Sequence, residues 1–183
     1  MIACALSVLL GVVAWTLTEY AIHRWLGHGR RFRKNPFGVE HTRHHALGNY
    51  FASAWLKAIA SLIVGAGAWG LGGLAVGSAA AGGFVFGLMA MYGAYELHHW
   101  LLHVHPGLGP YGRWARKHHF SHHFSDVRRN HGVTSPVWDI AFGTYQRPGR
   151  IMVPRKLAMR WLTEPATGEV RPEFRADFGL IGA

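Results

Sequence analysis

Residues 58–95 contain no Asp, Glu, Lys, Arg or His. An uncharged stretch this long excludes most soluble folds, because a helix in water keeps a polar face. It is too long for one membrane helix, which takes about 20 apolar residues, and fits two short ones. Gly70, Gly72 and Gly73 offer a turn between them. The stretch predicts a helical hairpin over residues 51–69 and 74–96. Its small residues Gly65, Gly67, Gly83 and Gly87 suit close helix approach. Residues 1–22 are apolar apart from Glu19 and predict a further span. It reads as a retained anchor, because the first Lys or Arg is Arg24 and the basic start of a cleaved leader is missing.

The charge map orients these spans. The chain carries a net charge of +10 although half of it is hydrophobic. Seven Lys or Arg lie from Arg24 to Lys57 and twelve from Arg113 onward. The basic residues avoid the long apolar segments, which points to a membrane protein with a basic cytosolic surface and away from nucleic acid as partner. The positive-inside rule places both basic segments in the cytoplasm and the N-terminus outside, with about three spans.

Histidine carries the chemistry. There are 14 in 183 residues, against one cysteine, Cys4. A single cysteine excludes an intramolecular disulfide, a Cys-ligated zinc site and an iron–sulfur cluster. The histidines form four clusters: His23 and His28; His41, His44 and His45; His98, His99 and His103; His118, His119, His122 and His123. Helical residues three or four apart share a face, so the last three clusters each aim imidazoles from one side of a helix. Neutral imidazole binds iron, zinc, copper and nickel, and four such faces supply about ten ligands, enough for two metal ions. His98, His105, His118 and His131 read as surface or supporting residues. Glu19, Glu40, Glu96, Asp126 and Asp139 lie close enough in sequence to orient imidazoles from behind. Residues 151–162 are basic and apolar together, suited to a membrane surface or to covering a site; residues 163–183 carry no functional signal.

The order H-x4-H, H-x2-HH, H-x3-H, H-x2-HH, followed by residues 130–145 (NHGVTSPVWDIAFGTY), resembles the fatty acid hydroxylase/sterol desaturase superfamily. The resemblance covers residues 23–145. It implies an all-α fold of integral membrane helices, about three spans including one hairpin, capped by a cytosolic helical dome rich in histidine. Residues 1–22 and 51–96 would span, 23–50 and 97–162 would form the cap, and 163–183 a tail. By position, the metal ligands implied are His23, His28, His41, His44, His45, His99, His103, His119, His122 and His123. The resemblance further implies two iron ions, which zinc may replace in purified protein, with O2 as co-substrate. A lipid C–H bond would be hydroxylated or desaturated, with electrons from a ferredoxin- or cytochrome-type carrier and its reductase. No dinucleotide-binding fingerprint is present. The carotenoid ring hydroxylases form an alternative branch of the same superfamily. Two readings of another class are a His-rich membrane metal-binding or transport protein, whose sites belong within the spans, and a zinc hydrolase, for which ten ligands are too many.

Overall fold

The computed structural model describes residues 2–32, 34–107 and 109–182. Met1 and Ala183, the ends of the expected first span and tail, and Arg33 and Leu108, both in the expected cap, lie outside the described residues.

The uncharged stretch forms an antiparallel pair of helices, α3 (Ala54–Val76) and α4 (Ser78–Val104). They join at one residue, Gly77, whose φ of 84° is open to glycine and strained for other residues. The turn therefore falls after Gly70, Gly72 and Gly73, which stay inside α3. In lipid no water competes for backbone amides, so glycine does not break a helix there as it does in solution.

Before them stands α1 (Ile2–Ala21), packed against α4. A Cβ on Gly11 would sit 2.0 Å from the Phe84 carbonyl oxygen, and one on Gly87 would sit 2.0 Å from that of Val8. These two glycines bring the backbones together. Gly83 faces Cys4 and Gly65 faces Val85 and Met89, whereas nothing lies within 4 Å of a Cβ on Gly67. We predict that Gly87→Leu forces α1 off α4, lowering stability by about 1–3 kcal/mol or more, as overpacking does. Denaturant unfolding in detergent checks this; an unchanged midpoint would contradict the tight crossing.

The segments Ala3–Gly27 and Ala54–Val76 are long and apolar enough to cross a membrane. Leu62, Leu71 and Leu74 are 73, 74 and 87 % exposed, and Leu9, Leu10, Ile63 and Phe86 are also exposed. Apolar surface on this scale belongs in lipid. At 1.5 Å per residue, the 27 residues of α4 reach about 40 Å, some 10 Å beyond a bilayer core of about 30 Å. His99 and His103 lie in the last two turns of α4, and α1 ends just before His23.

The cap gathers above these ends. The chain leaves α1 through one π-helical turn (Ile22–Gly27) and enters α2 (Pro36–Leu47). Asn35 caps α2, its Oδ1 accepting the Gly38 N–H at 3.0 Å, and Pro36 occupies the first turn. Then come α5 (Gly109–Phe124) and the short α6 (Val137–Ala141).

The fold is mainly helical, as the sequence predicts, with one addition. Strands β1 (Ile151–Pro154) and β2 (Phe178–Ile181) pair in parallel, Ile151 opposite Phe178. Residues 151–162 turn their apolar side inward over α5, and their basic side chains stay exposed. Ile151, Val153, Met159, Trp161 and Leu162 enter a core with Phe120, Val170, Phe174 and Phe178, while Arg155, Lys156 and Arg160 face out. Burial alternates along β1, the two-residue period of a strand. Val170, Phe174 and Phe178, in the expected tail, complete this core.

Candidate metal centre

The ten imidazoles singled out above converge as two groups of five. One holds His23, His28, His41, His45 and His122; the other holds His44, His99, His103, His119 and His123. Within each group, the ring nitrogens offered all lie within 4.8 Å of one another.

Helical geometry explains the sorting. An α-helix turns about 100° per residue, so residues five apart, such as His23 and His28, would point about 140° away from each other. The π-helical turn closes an i to i+5 bond, the His28 N–H donating to the His23 carbonyl at 3.2 Å, and brings the two imidazoles to one side. In α2, His41 and His45 are one turn apart and join the first group, while His44 diverges into the second. In α5, His122 enters the first group, and His119 and His123, again one turn apart, enter the second. Thus α2 and α5 each serve both groups. Where the groups meet, the His45 and His123 rings stack at 4.0 Å.

The spacing inside each group matches a coordination shell. At metal–nitrogen bonds of about 2.1 Å and right angles, neighbouring ligand nitrogens are about 3.0 Å apart. In the first group, His28 Nε2 lies 2.8 Å from His41 Nε2 and 2.9 Å from His122 Nε2, and His41 Nε2 lies 3.0 Å from His45 Nε2. In the second, His44 and His99 Nε2 are 3.1 Å apart, and His103 and His119 Nε2 2.9 Å. Lone pairs held this close repel unless a proton or a cation lies between them.

Outer nitrogens fix which atom points inward. His23 Nδ1 donates to the His131 carbonyl at 2.5 Å, His44 Nδ1 to that of Tyr50 at 2.7 Å and His122 Nδ1 to that of Arg129 at 2.7 Å. Each bond leaves the Nε2 lone pair facing the group, the usual arrangement behind a metal-bound histidine. His23 Nε2 and both ring nitrogens of His123 are buried without a hydrogen-bond partner, a costly state that a cation in each group would relieve at one nitrogen of each ring.

Electrostatics keeps the rings neutral. Burial, reinforced by the neighbouring imidazoles, pushes His28 down to about 4 and His45 down to about 2. The same causes hold His41, His119, His122 and His123 well below the usual imidazole range. Ten neutral nitrogen donors in two close sets suit a divalent transition metal.

The carboxylates do not back the ten imidazoles. Glu19 accepts the Val133 and Thr134 N–H groups and the Thr134 hydroxyl. Glu40 pairs with Arg43 and Tyr50, Glu96 with Lys57, and Asp126 with Arg128. Asp139 reaches an imidazole, that of His118 at 3.3 Å, outside both groups. His98 stacks on Tyr111, and His105 ends α4 with its Nδ1 accepting the Gly107 N–H. His131, read from the sequence as a surface or supporting residue, supports His23 through its carbonyl; the residues sequence reading missed are Tyr50 and Arg129, which also lend carbonyls, a group any residue type carries. Trp161, whose indole N–H donates to the His103 carbonyl at 3.1 Å, was hidden in a segment with no recognisable motif.

A cavity of about 770 Å³ opens beside the centre. Phe37, Val39, Leu56 and Tyr95 wall it, and it reaches His41 of the first group and His44 and His99 of the second. Lys34, Arg43 and Lys57 also line it.

Residues 8–144 match the fatty acid hydroxylase family. A dihydroceramide fatty acyl 2-hydroxylase of Arabidopsis thaliana is 30 % identical over 142 residues, covering 76 % of this chain and 60 % of its own. A ceramide very long chain fatty acid hydroxylase of Saccharomyces cerevisiae is 33 % identical over 158 residues, covering 76 % and 38 %. The fatty acid 2-hydroxylase of Homo sapiens is 31 % identical over 144 residues, covering 74 % and 38 %. The chain thus spans 60 % or less of these relatives' lengths. A solved structure of full-length scs7p, in which only the hydroxylase domain is visible, superposes with a TM-score of 0.60 at 30 % identity, covering 79 % of this chain and 56 % of that one.

Proposed function

This chain belongs to the fatty acid hydroxylase family, and from that premise we propose that it is an O2-dependent lipid hydroxylase, an oxidoreductase whose two imidazole groups each hold one iron ion. The observation that carries this reading is the pair of five-imidazole groups, in contact through His45 and His123 and both open to one apolar cavity. Bound iron supplies the oxidising chemistry: RH, O2, two electrons and two protons give ROH and water. The residues do the rest. Carbonyls of His131, Tyr50 and Arg129 set the rings. Phe37, Val39 and Leu56 hold a flexible chain and exclude water. Phe51, with its ring 5.1 Å from that of His44 and 5.5 Å from that of His99, limits how a chain presents its carbon.

The substrate class is a fatty acyl chain, free or in a sphingolipid. The relatives named above act on fatty acyl and ceramide substrates, which favours this class over sterols and over a carotenoid ring. A metal transporter is disfavoured because nine of the ten imidazoles, all but His23, lie outside the membrane-length segments Ala3–Gly27 and Ala54–Val76. Electrons come from an external ferredoxin- or cytochrome-type carrier, whose acidic surface would suit the basic cap. The test has two parts. Lipids from cells with and without the protein should differ by a gain of one oxygen atom, and protein from iron-supplemented cells should carry about two metals per chain. Zinc in place of iron is compatible with the reading, since zinc outcompetes ferrous iron at nitrogen sites. Full activity at a stoichiometry near one would overturn the two-metal assignment.

The topology follows from charge. With three crossings and the basic segments inside, the turn at Gly77 lies outside and the cap is cytosolic. A single cysteine placed at Gly77, in a Cys4→Ser background, should react with an impermeant thiol reagent from outside, and one at Arg150 only from the cytoplasm. The reverse pattern would invert the assignment.

A further inference from the structure

The two imidazole groups rest on different supports. The first leans on residues 129–144. There the His131 and Arg129 carbonyls hold His23 and His122, and Thr144 ties Tyr20 to Asp139 with bonds of 2.9 and 2.7 Å. The second leans on residues 151–181, which lie beyond the family match ending at residue 144.

Three contacts join that segment to the second group. The Trp161 indole, 6 % exposed, donates to the carbonyl of His103 itself. Phe120, fully buried, sets its ring 5.1 Å from His103 and 5.4 Å from His119 on one side, and 5.9 Å from Trp161 on the other. Arg116 is 2 % exposed, an expensive place for a charge without compensation. Its guanidinium lies 5.0 Å from the Trp161 ring, 4.8 Å from Phe174 and 5.5 Å from Phe178, its Nη1 donates to the Pro106 carbonyl, and Asp177 approaches at 4.0 Å. Arg116 therefore ties the end of α4, just after His103, to α5 and to the C-terminal core.

We propose that residues 151–181 form a clamp that positions the second imidazole group, with Trp161 as its positioning residue. This rests on the two-metal reading above. The indole N–H limits the sliding of the last turn of α4, and the aromatic core keeps that turn at a fixed distance from α5. His103 on α4 and His119 and His123 on α5 then keep the spacing a metal needs. The first group, supported elsewhere, does not depend on the clamp.

The experiment measures metal loss from the full chain in detergent, by timed exposure to a chelator and elemental analysis. Trp161→Phe removes the N–H and keeps a ring; Trp161→Ala removes both. Each is combined with His28→Ala and His41→Ala, which cripple the first group, or with His99→Ala and His119→Ala, which cripple the second. With the second group as sole metal site, Trp161→Ala should speed metal loss about 10-fold or more, the scale of outer supports, and Trp161→Phe should fall between it and Trp161. With the first group as sole site, neither should change the rate. Equal acceleration in both backgrounds would mean general loosening and would overturn the clamp, as would no change in the second-group background. If Trp161→Ala fails to fold, Trp161→Phe alone decides by the same comparison. A parent chain that binds fewer than about two metals overturns the two-metal reading, and the clamp with it, before any Trp161 variant is compared.

Discussion

His103→Ala should strip metal from the protein and lower hydroxylation about 100-fold or more, while His105→Ala should keep both metals and most activity. The two histidines are two residues apart, yet their surroundings differ. His103 is 2 % exposed, on α4, with its Nε2 2.9 Å from that of His119. Removing it opens a coordination position and leaves a cavity in the second group. Loss of an outer support alone costs about 10–100-fold in metal affinity, so loss of a direct ligand belongs at or beyond that range. His105 has left the helix, with φ −129° and ψ 142°, just before Pro106, where the chain must be extended. Its ring takes part in a turn, through a 3.3 Å bond from the Gly107 N–H, and in neither group. Both variants lose one imidazole, so total histidine content cannot explain a difference. Elemental analysis and product yield on the purified proteins decide it. A fully metallated, active His103→Ala would show that the second group does not hold the metal.

Asp139→Ala should destabilise the protein by about 3 kcal/mol or more and loosen the first group. Asp139 is fully buried. It accepts the His131 and Gly132 N–H groups, both at 2.8 Å, and the Thr144 hydroxyl at 2.7 Å. Truncation strands these donors, at about 1–3 kcal/mol for each left unpaired. Burial pushes the Asp139 carboxyl up, but bonds from His118, Gly132, Thr144 and His131 outweigh it and hold the group below the usual carboxylate range. A depressed folded-state pKa means that its contribution is present above about pH 4, the unfolded value, and is lost as pH falls through the folded value. Neutral pH therefore shows the full effect. Denaturant unfolding at pH 7 measures it, and an unchanged midpoint for Asp139→Ala would contradict the network. Asp139→Asn keeps the shape but turns an amide donor toward donors, so it should fall between the two.

Local pattern carried a large part of this protein. The absence of charge over residues 58–95 determined a pair of long apolar helices, because a helix facing water keeps a polar side. Histidines four apart, His41 with His45, His99 with His103 and His119 with His123, share a group, whereas those three apart, His41 with His44 and His119 with His122, do not; the ten singled out are the ten that converge. Tertiary structure decided what such spacing does not encode. His44 and His45, like His122 and His123, are neighbours in sequence and part into different groups, a choice that depends on how α2 and α5 cross. His23 and His28 meet because the helix widens to a π turn, against the spacing an α-helix would impose. The supports of the rings come from carbonyls as far as 108 residues away, and a carbonyl leaves no mark in an amino-acid sequence. The burial of Trp161 under His103 has the same origin. These are contacts between distant segments, and side-chain identity records local preference far better than it records the partner that will be met.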